Sequence, residues 1–248
     1  NVCAKTLSLR LSAALLALIP LSCASVAPRA AAHAAAAPET SSSTDHARLA
    51  RLDGVYQVVA DGTVIPGRRG NSGSPELIRA TETGRVPADR KASDIDPYTL
   101  CQPIGPFRMM AQPQLTIQLV AASDRLVMLF RDVAHGFLRS LYLNGKLPPH
   151  YVARYGWQGY SSAAWDGEAL VVDTLGFDNR TWLNEHTKAS DALHLVERIV
   201  PLDGGGYLEY HVTATDPKSL VAPYSYVRYF RRVDQRISQD ICIPHTTW

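Results

Sequence analysis

The chain has 248 residues, 46% of them hydrophobic and 19% charged, and a net charge of +2. That balance excludes a disordered chain, and without a basic run or stripe nucleic acid is not an expected partner. Less Lys5 and Arg10, which fall in the N-terminal segment, the 25 basic residues become 23 against 23 acidic ones, so the body of the protein is near neutral.

Lys5 and Arg10 precede an apolar run, Leu11 to Pro20, and then small residues. This is the order of a secretory leader, charged region first, apolar region next and cleavage zone last. A membrane span needs about 20 apolar residues, and the run is shorter than that. The expectation is a signal peptide over 1–27 and a periplasmic or secreted domain. Cys23 stands where a lipoprotein carries its lipid, although Pro20-Leu21-Ser22 departs from the small residues usual before such a cysteine; membrane contact is expected only through the leader or this lipid. The Ala/Pro/Ser-rich stretch 28–48 reads as a disordered linker, and 49–248 as a single β-barrel domain.

Leu49 to Asp61 is the first strand candidate. Gly62 to Pro97 is rich in Gly, Pro, Arg and Asp and reads as a long loop or lid, with a short helix near Pro75 to Glu82; a loop of this length hints at function. After the turn-rich Cys101 to Pro106, short strands follow at close spacing: Gln114 to Val120, Arg125 to Phe130, His135 to Leu143, Ser161 to Trp165, Ala169 to Thr174, Leu193 to Val200, Tyr207 to Thr213 and Tyr224 to Val233. Asn144-Gly145 and Asp166-Gly167 are two-residue hairpin signals, since both tolerate the positive φ of a type I′ turn. Roughly eight strands with hairpin links and no long amphipathic helix predict an all-β, lipocalin-like antiparallel barrel, or else a β-sandwich. Leu52 to Gln57 resembles the Gly-x-aromatic opening of lipocalin-like barrels.

Outside the leader two cysteines remain, Cys101 and Cys242. An even pair in an exported chain reads as one disulfide, from the start of the barrel to the tail.

Alternation sorts the strand faces. Leu208, Tyr210, Val212 and Ala214 share one face; Tyr224, Tyr226, Arg228, Phe230 and Arg232 share another. Glu197 falls with Leu193, Leu195 and Ile199, and Asp173 with Ala169 and Val171. A carboxylate on an apolar face is costly unless it is paired, and Arg228 is the expected partner of either. An acid held there has a raised pKa and can serve as general acid or base. The catalytic candidates are therefore Asp173, Glu197, His135, His194 and Arg228. The ligand-binding candidates are Tyr210, Tyr226, Trp182, Arg180 and Trp157. The competing reading is an ion-pair network that only fixes the strand register. His186, Asp191 and His194, with Glu197 in reserve, are metal ligands by type, but they match no short metal motif and a strand sets His194 and Glu197 on opposite faces. No nucleophile elbow and no phosphate loop is present, and no cofactor or metal is expected.

The sequence Trp165-x-Gly167-x-x-Leu170-Val171-Val172-Asp173-Thr174-x-Gly176-Phe177-x-x-Arg180-Thr181-Trp182, continued by Ser190 to His194, Glu197-Arg198 and Asp216-Pro217-Lys218, resembles a family of uncharacterised exported bacterial proteins. The resemblance spans Cys101 to Cys242 and implies export, without implying an activity. Three functions are expected of such a barrel. The first is a cofactor-independent acid–base enzyme of lyase, isomerase or cyclase type, acting on a small apolar or aromatic molecule in an internal pocket. The second is a non-catalytic periplasmic carrier of such a molecule, and the third a cell-envelope interaction domain with a filled barrel.

Overall fold

The computed structural model describes residues 43–89, 91, 94–132, 135–144, 156–178, 180–238 and 242. The expected leader, Cys23 included, and most of the expected linker lie outside them. In chain order the elements are helix α1 (Ser43–Ala50), strand β1 (Gly54–Val58), a short helix α2 (Pro106–Met109), β2 (Thr116–Ala121), β3 (Arg125–Asp132), β4 (His135–Leu143), β5 (Tyr160–Asp166), β6 (Ala169–Leu175), β7 (Trp182–Asn184), β8 (Thr187–Lys188), β9 (His194–Leu202), β10 (Tyr207–Thr215) and β11 (Tyr224–Val233). Among the described residues nine strands close into a barrel in the order β1-β11-β10-β9-β6-β5-β4-β3-β2, and β7 and β8 form a separate two-stranded sheet. This is the all-β barrel that the spacing predicts, with one strand more than the rough count.

A ring of purely antiparallel strands must hold an even number, because direction alternates around it. Nine strands therefore force a parallel seam. It falls between β4 and β5, where three residue pairs are in register, Leu141 with Ser161 to Leu143 with Ala163. The seam pairs the end of β4 with the start of β5, and the two strands run in the same direction instead of folding back on each other. So Asn144, although at φ 61°, does not begin a hairpin into β5 as Asn144-Gly145 suggests. Asp166-Gly167 does turn β5 back onto antiparallel β6.

Two boundaries differ from the sequence reading. Helix α1 takes up residues 43–50, part of the stretch read as linker and the start of the first strand candidate. It seals one barrel end: Leu49 and Leu52 are fully buried, Arg51 pairs with Glu168 of the β5–β6 turn at 3.1 Å, and the Tyr56 hydroxyl donates to the Leu52 carbonyl at 3.1 Å. The other end is closed by the 59–115 connection, which is packed rather than structureless. It carries a 3-10 turn at Pro75–Leu77, another at Pro97–Leu100, and α2, whose Phe107 and Met109 are buried. Gly105 opens α2 at φ 77°; a Cβ there would lie 2.7 Å from Thr181 Cγ2, so glycine is needed for the approach.

Between these ends the bore is filled. Tyr210, Tyr226, Phe107, Phe130 and Phe230 are all buried in one core cluster. The Phe107 and Tyr226 rings meet edge to face at 5.0 Å, and the Tyr226 hydroxyl donates to the Phe107 carbonyl.

Cys101 and Cys242 form the expected disulfide, with Cα atoms 5.7 Å apart and a separation of 141 in sequence. A closure of this length stabilises by about 4–5 kcal/mol in the loop-entropy model. Reduction, or Cys101→Ser, is expected to lower unfolding stability by up to that amount, read as a lower midpoint in urea with the protein still folded in buffer.

Candidate functional site

The charged group inside the barrel is an arginine–glutamate pair. Glu197, on β9, is 1% exposed and Arg139, on β4, is 3% exposed. Arg139 Nη1 donates to Glu197 Oε1 at 2.9 Å and Nη2 to Oε2 at 2.5 Å. Arg139 Nε also donates to Ser161 Oγ on β5 at 2.9 Å, and Nη2 to Thr174 Oγ1 on β6 at 2.6 Å. The Tyr210 hydroxyl, on β10, donates to Glu197 Oε1 at 2.7 Å. Each of five neighbouring strands thus supplies one member. Burial alone pushes the Glu197 carboxyl up, but the Arg139 charge and the hydrogen bonds from Arg139, Tyr210 and Thr174 outweigh it and hold the pKa below the ordinary range. Burial lowers the Arg139 pKa, and the Glu197 charge and hydrogen bonds overcome this and raise it. Burial and then the Glu197 charge push the Tyr210 hydroxyl well above its usual value. An acid ionised and held by three neighbours has no free lone pair for substrate, and here the ion-pair reading accounts for Glu197.

The other acid–base candidates do not join it. Asp173 does not share the inward face: Leu170, Val172 and Thr174 point in, and the Asp173 side chain is 56% exposed and bonded to His194 on the outer surface, Oδ1 to Nε2 at 2.9 Å. Because Ala169 to Val172 is apolar at every position, alternation could not tell the two faces apart. Arg228 is buried as expected but reaches neither acid; its Nη1 donates to the Gly73 and Ser72 carbonyls at 2.9 and 3.2 Å, anchoring the long connection. The backbone of His135 lies in β4, and its side chain is outside the described residues. Among the described residues no group of three His, Cys, Asp or Glu side chains is placed to hold a metal ion; Asp191 pairs with Lys218 at 2.6 Å instead.

The ligand-binding candidates divide. Tyr210 and Tyr226 belong to the packed bore. Trp157, Arg180 and Trp182 come together at a cleft of about 720 Å³ in the loop layer over one barrel end, with Pro97, Leu100, Lys188, Ser190 and Asp191 among its other walls. The Arg180 guanidinium lies 4.6 Å from the Trp157 ring centre and Lys188 Nζ 5.4 Å from that of Trp182. Thr181 Oγ1 donates to the Trp157 carbonyl at 3.0 Å. Asp96 caps the 3-10 turn at Pro97 through the Tyr98 amide and makes a buried bidentate pair with Arg108 of α2 at 2.7 and 2.8 Å, so one wall is fixed to the plug. Asp216 accepts from the Ser190 amide and hydroxyl at 2.7 and 2.6 Å and from the Ser219 amide at 3.1 Å, fixing another wall.

Each charged side chain in the lining already has a counter-ion. Arg180 is paired with Asp178, Lys188 with Asp94 at 2.5 Å, and Asp191 with Lys218 at 2.6 Å. The hydrogen bond from Lys188, aided by one from the Lys91 amide, keeps the Asp94 pKa below the usual carboxylate value, and the Lys218 hydrogen bond does the same for Asp191. The cleft is therefore aromatic and electroneutral.

Sequence reasoning missed Arg139 and the Asp94 and Asp96 partners. The signal for Arg139 was present: Phe137, Arg139, Leu141 and Leu143 alternate, so the argument that singled out Glu197 also singles out Arg139. Asp94 and Asp96 sit in a stretch without periodicity, where no face can be assigned.

No family model matches the sequence, and no curated protein matches it. Solved structures that match include a fatty acid transporter, REP1-NXSQ, at 12% identity, covering 75% of this chain and 99% of that one with a TM-score of 0.37. The wild-type fluorescent protein UnaG matches at 11% identity, 75% and 99% coverage and a TM-score of 0.33. A zebrafish ileal bile acid-binding protein complexed with cholic acid matches at 10% identity, 74% and 99% coverage and 0.37. At these identities and TM-scores the matches assign no ligand and no activity to this chain.

Removing one partner of a buried ion pair costs about 3–5 kcal/mol, whereas replacing both with apolar groups of similar size is close to neutral. Glu197→Gln is thus expected to destabilise the fold by about 3 kcal/mol or more, and Arg139→Met with Glu197→Leu to recover most of it, in denaturant unfolding. Because the folded Glu197 pKa lies below the unfolded one, its contribution is complete above the ordinary glutamate pKa of about 4.3 and is lost as pH falls through the lower folded value. The double variant should lose that part of the acid sensitivity.

Proposed function

We propose that this protein is a non-catalytic binding protein for a small, uncharged molecule with an aromatic or otherwise apolar body and a polar edge, held in the cleft of Trp157 and Trp182. The observation that carries this reading is the pairing of both tryptophans with an electroneutral rim. Clefts of about 300–1,000 Å³ with apolar walls and a few placed polar groups are the usual form of small-molecule sites. A charged ligand would have to displace Asp178 from Arg180 or Asp94 from Lys188, or enter without a counter-charge, and either is unfavourable. The acid–base alternative is disfavoured because Glu197 is fully engaged inside the barrel while Asp173 and His194 lie on its outside. The leader-like N-terminal segment and the Cys101–Cys242 bridge favour an oxidising compartment, periplasmic or secreted, as the place of action.

The test is calorimetric titration with 1-naphthol and 1-naphthoate, which share a ring system and differ in charge. The native protein should bind 1-naphthol more tightly. Trp157→Ala should weaken that binding about tenfold, or about 1.4 kcal/mol. Asp94→Asn, which leaves the Lys188 charge uncompensated, should raise the affinity for 1-naphthoate. Preference of the native protein for 1-naphthoate, or indifference to Trp157→Ala, would overturn the reading.

A further inference from the structure

A second cleft, of about 860 Å³, lies beside the first, and the β7–β8 hairpin borders both. Trp182 and Lys188 face the first cleft, whereas Asn184, His186 and Thr187 face the second. Its chemistry is different. The lining includes Ile78, Val86, Pro87 and Val221, an aliphatic surface with the His186 imidazole beside it and no tryptophan, tyrosine or phenylalanine, and Val221 is 55% exposed. Two guanidinium groups stand over this surface, Arg79 and Arg85, against one carboxylate, Glu76. Both arginines are exposed, and among the described residues neither has an ion pair or a side-chain hydrogen bond. In the first cleft every charged lining residue has such a partner.

The walls are fixed although the guanidinium groups are free. Ala80 bridges to Leu220 and Arg85 to Thr187. The Val221 amide donates to the Arg79 carbonyl at 3.0 Å and the Val86 amide to the His186 carbonyl at 2.9 Å. Asn184 is buried with both ends of its amide used: Nδ2 donates to the Pro75 carbonyl at 2.7 Å, and Oδ1 accepts from the His186 amide at 2.8 Å. The main chain that carries the two arginines is thus held in place before anything binds, which lowers the ordering cost of binding.

We propose that this second cleft binds an amphiphilic anion, an aliphatic body lying on Ile78, Val86 and Val221 with its carboxylate between Arg79 and Arg85. Guanidinium groups are suited to carboxylates because their N–H donors match the two oxygens, and the net positive charge of the lining supplies the complementarity that the first cleft lacks. The proposal does not depend on what the first cleft binds.

Octanoate and 1-octanol share a chain and differ in charge, so calorimetric titration with both separates tail from head group. The native protein should bind octanoate about tenfold more tightly than 1-octanol at low salt, and the advantage should shrink as salt is raised. Arg79→Gln with Arg85→Gln should remove about that tenfold for octanoate and leave 1-octanol unchanged, the side chains being exposed and outside the core. Val221→Asp should weaken octanoate independently. Trp157→Ala, in the first cleft, should leave octanoate binding intact. The proposal is overturned if octanoate binds no better than 1-octanol, if the double arginine variant binds it as the native protein does, or if Trp157→Ala abolishes its binding.

Discussion

The ion pair between Arg139 and Glu197 is the constraint on which the barrel depends. A nine-stranded ring must contain a parallel seam, and the β4–β5 seam is short. Arg139 spans it, since the guanidinium that holds Glu197 on β9 also donates to Ser161 on β5 and Thr174 on β6. Burying two charges is expensive, and the pair is not a source of large net stability. Its effect is on choice among alternatives. A slip of one residue in β9 would turn Glu197 to solvent and leave Arg139 inside without an anion. That penalty falls on wrong registers and spares the right one. The apolar neighbours cannot supply such discrimination, because Leu, Val and Ile pack acceptably in more than one arrangement.

Most of the strands were legible because period-two alternation and turn residues are local signals. The ranges His135 to Leu143 and Tyr224 to Val233 match β4 and β11 residue for residue, and the cysteine count sufficed for the disulfide. What was hidden depends on contacts between distant segments. The parallel seam follows from the strand number around the ring, which a local pattern does not encode, and so Asn144-Gly145 misled. Asp173 was misplaced because its strand is apolar on both faces near its start. Trp157, Arg180 and Trp182, expected with Tyr210 and Tyr226 to line a pocket inside the barrel, line a cleft in the loop layer instead. Nothing local says that Tyr210, Tyr226 and Phe107 fill the bore.

This filling divides the molecule into scaffold and site. The bore carries packing and register. The loop layer at one end carries the clefts, as expected where irregular segments are mounted on a rigid sheet. The 59–115 connection is long for a compact domain, and its length is used: it supplies the α2 plug, the Pro97 wall of the first cleft, and the Arg79 and Arg85 edge of the second. In the stretch from Trp165 to Trp182, and at Ser190 and Asp216, several polar residues have a structural role. Thr181 holds the Trp157 carbonyl, and Asp216 gathers Ser190 and Ser219 at the cleft wall. These are positioning residues: their hydrogen bonds fix the cleft walls.

Charge pairing then separates the two clefts more sharply than shape or size does. Their volumes are similar and they share a hairpin wall. In the first, Asp94 is paired with Lys188, and because the Asp94 pKa is lowered, its carboxylate stays ionised through the ordinary aspartate range and is protonated only as pH falls through the lower folded value. In the second, two guanidinium groups, Arg79 and Arg85, share the lining with one carboxylate, Glu76. The two faces of one hairpin thus differ in charge, and the difference rests on where Asp94, Asp178 and Lys218 stand.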